Sequence, residues 1–142
     1  MQAASRLVPF QNGYCVYLTS VEANFGLQKM QVFVASELKQ GGCAYNAVLD
    51  HENQHVAINR ETVKEFAPRI HAQLQDELEK LRPVFTRDTG STTAAILDRI
   101  KIQSAGLVNQ FSDTMSRRHA VIDTANNYAA TSKLCPDWNG TK

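Results

Sequence analysis

The spacing of apolar residues along the chain predicts two long helices. Between residues 45 and 81 they recur every three or four positions, which is the period of a helix with one buried face. This stripe stays in phase across Pro68, so we expect one helix that kinks there, not two separate helices. A second stripe of the same period begins at Leu97 and fades near Asn126 and Asn127.

Two shorter runs before the helices, residues 14–19 and 30–35, predict β-strands. Both are rich in β-branched and aromatic residues. Residues 1–13 are interpreted as an irregular lead-in that ends in a turn at Asn12 and Gly13. Two consecutive strands most simply form an antiparallel hairpin. Because two strands alone are marginally stable, this small sheet must pack on the helices.

The segment between the two helices predicts a tight reversal. Residues 83–90 contain the Pro and Gly typical of a turn, and Ser91 or Thr92 is a candidate N-cap for the second helix. Helices joined by a short turn pack antiparallel. A chain of 142 residues is long enough for one domain with its own core. We therefore predict a single α+β domain, residues 1–142, in which a small antiparallel β-hairpin or sheet packs on a long antiparallel helical hairpin.

Composition argues against several classes of function. A formal net charge of +1 gives no electrostatic reason to expect binding to nucleic acid or to an acidic membrane surface. No apolar run is long enough to span a bilayer, and the first residues lack the charged and apolar regions of a signal peptide. The three cysteines, Cys15, Cys43 and Cys135, form no C-x-x-C pair, so a zinc site built from cysteines is not expected.

The first helix contains the sequence His51-Glu52-Asn53-Gln54-His55, which has the pattern H-E-x-x-H. Residues four apart lie on the same face of a helix, so His51 and His55 could bind one ion. Glu52 lies one step around the helix, close enough to act on water as a general base without being a ligand. This is the metal and general-base arrangement of zinc hydrolases. Two surface histidines on a polar helix face would be the simpler interpretation of the same pattern.

The predicted hairpin directs the second helix back towards this motif. With the turn centred near residue 87, facing positions have numbers that sum to about 174. His51 then faces Asp123, and His55 faces His119. A catalytic zinc site takes three protein ligands and keeps a fourth position open. Asp123 is the first choice for the third ligand and His119 the second, because a shift of one helical turn would exchange them. Alone, His119 would be a partly buried histidine and Asp123 a solvated carboxylate or a helix cap.

Three other residues further along the first helix are considered as metal ligands. Glu77 and Glu79 would supply the third ligand in a thermolysin-like arrangement, but only if the helix broke sharply at Pro68. His71 is twenty residues beyond His51. That spacing is about 30 Å along a straight helix, too far for the two to share an ion, so we interpret His71 as a surface residue.

The motif resembles the signature of the zincin metallopeptidases, in which both histidines bind zinc and the glutamate is the general base. Over most of the chain, from the first strand to Cys135, the sequence is also similar to a group of predicted secreted or periplasmic bacterial zinc-dependent proteases. The residues that carry this second resemblance are Cys43-Ala44-Tyr45-Asn46, the motif itself, and Ile122-Asp123-Thr124 with Tyr128. It implies a precursor with a signal peptide and a periplasmic or secreted location. The metzincin branch does not fit, because Ile58 and Glu61 stand where that branch has Gly and His.

Together these observations predict a zinc-dependent hydrolase, most simply a peptidase that acts on a peptide or protein substrate. The residues assigned to this chemistry are His51, His55 and Asp123 or His119 as ligands of Zn²⁺, Glu52 as the general base, and Tyr128 or His119 as a donor to the transition state. The strand predicted at residues 30–35 could align an extended substrate by pairing along its edge.

Two other functions stay open at this point. A non-catalytic envelope binding or assembly module would use the metal structurally or not at all, and a filled fourth coordination position would favour it. A zinc hydrolase acting on another kind of bond is also compatible, because the motif defines the metal chemistry better than the substrate. Substrate preference and oligomeric state have no signature in the sequence.

The cysteines give a further expectation. Cys43 precedes the first helix and Cys135 follows the second, so an antiparallel hairpin would bring them to the same end. A Cys43–Cys135 disulfide would suit an oxidising compartment. Three reduced, partly buried cysteines are the alternative.

Overall fold

The computed structural model describes residues 1–136 and Trp138. Three strands form one antiparallel sheet, and two long helices pack together, so the predicted α+β fold is confirmed. In chain order the elements are β1 (Gln2–Phe10), β2 (Gly13–Glu22), α1 (Cys43–Glu79), β3 (Val84–Thr86), α2 (Thr89–Ile122) and α3 (Ala125–Ser132).

The chain divides into two compact units, and both long helices contribute to each of them. The sheet unit consists of Met1–Gly26 and Phe66–Gln110, and the motif unit consists of Leu27–Glu65 and Phe111–Lys142. In the part of the chain that the structure describes, no helix combines the length and the apolar composition that crossing a bilayer requires.

The sheet of the sheet unit has the order β1-β2-β3. β1 and β2 are joined by a two-residue loop, with Phe10 paired to Gly13 and Gln11 in the left-handed region at a φ of 51°. The expectation of an irregular lead-in over residues 1–13 was wrong, because Gln2–Phe10 form a strand along β2. A side chain at Gly13 would place its Cβ 2.6 Å from the carbonyl oxygen of Thr86, so the pairing of β2 with β3 requires glycine there.

An apolar core lies between this sheet and the helices of the sheet unit. Its centre is formed by Val16 of β2 with Ile96 and Ile100 of α2, which are 1%, 8% and 2% exposed. Partly buried residues pack around it: Leu18, Val21, Leu74, Leu78 and Leu81. The helical stripe in the sequence therefore marks the buried face of α1 correctly in this unit.

Residues 30–35 do not form the strand that their composition predicts. They are irregular, and Phe33 is 77% exposed. β1 pairs along the length of β2, β3 pairs with Tyr14–Val16, and residues 30–35 form no ladder with this sheet. β-Propensity expresses packing against neighbouring strands, and without such a neighbour it does not produce a strand. The proposed alignment of a substrate along this strand therefore has no structural basis.

α1 continues through Pro68 as one helix, as predicted. The boundaries of the following turn and of α2 differ from the predicted ones. The predicted turn at residues 83–90 contains β3, and α2 is capped by Asp88, whose carboxylate accepts from the Gly90 amide at 3.0 Å and from the Ser91 hydroxyl at 2.7 Å. This makes the expectation of a Ser91 or Thr92 cap wrong, because helical structure already begins at Thr89. α2 ends at Ile122, before the point at which its apolar stripe fades.

The motif unit buries different residues from the sheet unit. Among its described residues, those with less than about a tenth of their surface exposed are His51, Thr62 and Cys135. None of its described aliphatic or aromatic side chains is buried to that degree. Cys43 at the start of α1 forms a disulfide with Cys135, which confirms the first of the two expectations for the cysteines. Cys15 of the sheet unit is a free thiol.

Candidate metal centre

His51 and His55 lie on one face of α1, with their ring centroids 5.0 Å apart. His51 is 7% exposed, and His55 and Glu52 are half-buried. One ligand atom from each of these three side chains can be chosen so that all lie within 4.8 Å of one another. The group His51, Glu52 and His55 could therefore hold a metal ion.

Asp123, directly after the last residue of α2, brings a carboxylate to the two histidines. Its Oδ1 lies 3.0 Å from Nε2 of His55 and 3.4 Å from Nε2 of His51. Ligand atoms about 2.0 Å from a tetrahedral zinc ion are separated by about 3.3 Å. Both separations are close to that value, so the Asp123 oxygen is spaced from each imidazole nitrogen as two ligands of one small cation would be.

The end of α2 at Ile122 determines where Asp123 lies. The Asn127 side-chain amide donates to the carbonyl oxygens of Val121 and Ile122 at 3.3 and 3.1 Å, which satisfies the last turn of α2. The Thr124 hydroxyl then accepts from the backbone amide of Asn127 and starts α3. This tight change from one helix to the next leaves Asp123 at the junction, with its carboxylate turned to α1.

α3 contributes Tyr128, whose hydroxyl donates to Oδ1 of Asp123 at 2.8 Å. This hydrogen bond lowers the pKa of Asp123, and the neighbouring His55 and His51 act in the same direction. The same hydrogen bond raises the pKa of Tyr128 above its usual value. Asp123 is therefore an anion at neutral pH, as a metal ligand must be.

His119 of α2 contacts His55 on the side away from Asp123. The Nδ1 atoms of the two rings are 2.6 Å apart, and Nε2 of His119 lies 2.9 Å from Oδ1 of Asn59. Burial lowers the pKa of His119, as does the positive charge that His55 can carry, and Asp123 opposes both effects. The neutral form of His119 is favoured as a result.

One nitrogen of this cluster has no hydrogen-bond partner. Nε2 of His51 is buried and forms no hydrogen bond to any described residue, and its contact with Asp123 at 3.4 Å lacks hydrogen-bond geometry. A buried polar atom without a partner is unfavourable, and such atoms are rare in folded proteins. A cation bound between His51 and Asp123 would satisfy it, so the residues present fit a metal ion.

A cavity of about 380 Å³ opens beside the cluster. His51, Glu52 and Tyr128 form its polar wall, and its lining is otherwise mainly apolar. The other residues that line it are Val48, Ala129, Thr131, Ser132 and Trp138. A small molecule or a side chain entering this cavity would meet Glu52, Tyr128 and the ring of His51.

The structure brings together the six residues that the sequence assigned to the site. His51, Glu52 and His55 share one helix face, and His119, Asp123 and Tyr128 meet them from α2 and its continuation. The alternative ligands Glu77 and Glu79 depended on a break at Pro68, and α1 has none. His71 is exposed, as expected.

Two residues that contact or position the cluster were not predicted from the sequence. Asn59 contacts His119, and Asn127 caps α2. Asn59 lies eight residues beyond His51 on the motif face of α1, a spacing that could have drawn attention to it. Thr124 is of a residue type that commonly caps the N-terminus of a helix, so it could have indicated the start of α3.

Comparison with known proteins returns no relative: no family model matches this chain, and neither a curated protein nor a solved structure resembles it significantly. The assignment of a metal-binding group therefore depends on its geometry alone.

Proposed function

We propose that this protein is a zinc-dependent hydrolase that cleaves peptide bonds. The observation that carries the proposal is the convergence of the unpartnered Nε2 of His51, Nε2 of His55 and Oδ1 of Asp123 on one small space. Two imidazoles and one carboxylate are a donor set that zinc accepts, and a fourth position left open is typical of catalytic zinc. Zinc in such a site supplies Lewis acidity, which polarises a carbonyl group and makes water more acidic.

Glu52 is the residue that moves the proton. Its carboxylate takes a proton from the water that attacks the carbonyl carbon, and it delivers that proton to the amide nitrogen as the C–N bond breaks. Its position favours this role, because it lies between the two histidines in sequence and also lines the cavity. General-base catalysis of this kind contributes about 10²- to 10⁴-fold in rate.

Tyr128 and the cavity define the surroundings of the reaction. The Tyr128 hydroxyl is bonded to Asp123, so we assign it to orienting that ligand. The apolar part of the cavity wall, Val48, Ala129 and Trp138, suits an apolar side chain of a peptide bound next to Glu52. Peptides with an apolar residue beside the cleaved bond are therefore the proposed substrates.

A periplasmic or secreted location is part of the proposal. Its support is the Cys43–Cys135 disulfide, since such bonds persist in oxidising compartments.

One observation favours a second function, a non-catalytic binding or assembly module. The Glu52 carboxylate is close enough to the histidines to be a ligand itself, which would fill the coordination sphere. The motif unit also lacks buried aliphatic and aromatic side chains among its described residues, so a closed metal site would have a structural purpose there.

Substitution Glu52→Gln separates the two functions. If Glu52 is the general base, the variant binds zinc with the affinity of the wild type and loses cleavage of a peptide library by about 10²-fold or more. If Glu52 is a ligand, zinc affinity itself falls by at least a factor of ten. Glu61→Gln, an exposed glutamate of the same helix, is the matched control. Full activity in Glu52→Gln, or cleavage by the wild type that a chelator does not stop, would reject the proposed mechanism.

A further inference from the structure

The contacts of His119 indicate that it hydrogen-bonds to a metal ligand and is not a ligand itself. Its Nδ1 and that of His55 are 2.6 Å apart. Two ligands of one tetrahedral zinc ion lie about 3.3 Å apart, so these two nitrogens are too close to bind the same ion. They are at hydrogen-bond distance, which requires a proton on one of them and a lone pair on the other.

Asn59 determines which ring carries the proton. The Asn59 Oδ1 can only accept, so Nε2 of His119, 2.9 Å away, is a donor. In a neutral His119 the remaining nitrogen, Nδ1, is then an acceptor. His55 must therefore donate from its own Nδ1, and a neutral His55 then carries no proton on Nε2. That nitrogen lies 3.0 Å from Oδ1 of Asp123, an anion that also only accepts, so a cation is needed between the two atoms.

We infer that Asn59 and His119 are positioning residues that hold the His55 ring in the tautomer and orientation needed to bind zinc through Nε2. The inference depends on the metal site proposed above and makes Asp123, not His119, the third ligand. In this chain of contacts, each donor faces an acceptor from Asn59 through His119 to His55. Without the Asn59 acceptor, His119 could carry its proton on Nδ1. The Nδ1–H groups of His119 and His55 would then point at each other.

The burial and packing of this chain of contacts support the assignment. The His119 and His55 rings are stacked, with centroids 4.8 Å apart and planes inclined by 28°. His119 and Asn59 are half-buried, so water competes only partly for their hydrogen bonds. Partners of this kind behind a histidine ligand typically change metal affinity by about 10- to 100-fold when they are removed.

The test uses the full protein with zinc as the probe and a chromophoric chelator as the competitor at one fixed pH. Asn59→Leu and His119→Phe should weaken zinc binding by about 10- to 100-fold. Asn59→Asp keeps an acceptor oxygen and should retain the wild-type affinity or exceed it. Asn109→Leu makes the same chemical change at an exposed asparagine of α2 and should change nothing.

A spectroscopic measurement distinguishes orientation from general damage. In the zinc-loaded wild type, long-range ¹⁵N–¹H correlation spectra should show the His55 proton on Nδ1 and the His119 proton on Nε2. Asn59→Leu should add a His119 population protonated on Nδ1, and Asn59→Asp should restore the single form. Thermal unfolding in chelator identifies any variant that does not fold, and Asn59→Ala then replaces Asn59→Leu.

Three results would overturn the inference: a His119 nitrogen bonded to the metal, wild-type affinity in folded Asn59→Leu and His119→Phe, or no zinc binding by the wild type. Failure of the proposed function is a separate result. A protein that binds zinc and shows the expected Asn59 dependence but cleaves no peptide would reject the peptidase and keep this assignment.

Discussion

The sheet unit and the motif unit differ in what they bury: the sheet unit buries large apolar side chains together with Thr92 and Ser104, and the described part of the motif unit buries two polar residues and Cys135. In the sheet unit, α1 and α2 bury Phe66, Ile70, Ile96 and Ile100, and β2 adds Val16. In the motif unit, the buried residues of α1 are His51 and Thr62. The first set is a conventional hydrophobic core, whereas burying the second removes polar atoms from water at a cost that hydrogen bonds only partly offset.

This difference indicates what each unit contributes. An apolar core stabilises the fold whether or not anything is bound, so the sheet unit does not depend on a ligand. The motif unit has a disulfide and a polar cluster instead, and one buried nitrogen of that cluster has no hydrogen bond within the described residues. We expect the sheet unit to supply stability and the motif unit to gain stability when metal binds.

Removal of the disulfide should have the largest effect on stability. Cys43 and Cys135 are 92 residues apart in sequence. A cross-link that closes so long a loop stabilises a protein by about 4 kcal/mol, mainly by restricting the unfolded chain. The double variant Cys43→Ala, Cys135→Ala should lose about that free energy of unfolding in urea. Cys15→Ala, which removes the free thiol, is the control. A change below about 1 kcal/mol in the double variant would mean that the bond does not hold the motif unit together.

Truncation of the core should have the next largest effect. Ile100 is 2% exposed at the centre of the sheet unit, and Ile102 is 71% exposed on the same helix. Ile100→Ala should lower the free energy of unfolding by about 3 kcal/mol, because it removes buried methyl groups and leaves a cavity. Ile102→Ala should stay within about 0.5 kcal/mol of the wild type. Similar losses in both would show that the core is not where the structure places it.

Substitution of His51 tests whether the polar cluster of the motif unit binds zinc. In metal-free protein, His51→Leu should change stability by no more than about 1 kcal/mol, because the buried Nε2 that it removes had no partner. Zinc at 100 times its dissociation constant should stabilise the wild type by about 2.7 kcal/mol and should not stabilise this variant. His71→Leu replaces an exposed histidine of the same helix and should keep the full zinc effect. Equal stabilisation of His51→Leu by zinc would place the ion elsewhere.

The smallest effect should come from the cap of α2 in the sheet unit. Hydrogen bonds from Ser91 and Gly90 lower the pKa of the exposed Asp88. A depressed folded-state pKa means that the stabilisation is present above the unfolded value, near 3.9, and is lost as the pH falls through the folded value. Asp88→Ala should therefore lower the thermal midpoint at pH 7, and the difference from the wild type should disappear as the pH falls through the folded-state pKa of Asp88. Asp113→Ala, at an exposed position within α2, is the comparison, and an equal loss there would exclude the cap as the cause.

The helices were predictable because their apolar stripe has one period over many turns, and the register of the hairpin placed Asp123 and His119 beside the motif. The strands were predictable only in part. Gln2–Phe10 contain Ala, Ser, Arg and Pro, and form a strand because β2 lies beside them. Residues 30–35 have the better composition and no partner strand.

The remaining parts of the site depend on geometry that sequence does not encode locally. Asn59 and Asn127 are ordinary polar residues until His119 and the end of α2 are placed beside them. The tautomer of His55 likewise follows from a contact between residues 64 positions apart. Only the folded chain shows which of several nearby polar atoms face one another.

The pairing of Cys43 with Cys135 has a practical consequence for following this molecule in solution. It leaves Cys15 as the single free thiol of a chain whose single tryptophan is Trp138. A maleimide dye would therefore label the sheet unit at one defined position, while indole emission arises from the motif unit alone. Each half of the molecule thus carries its own optical reporter, and the loss of one half before the other would be seen without any added mutation.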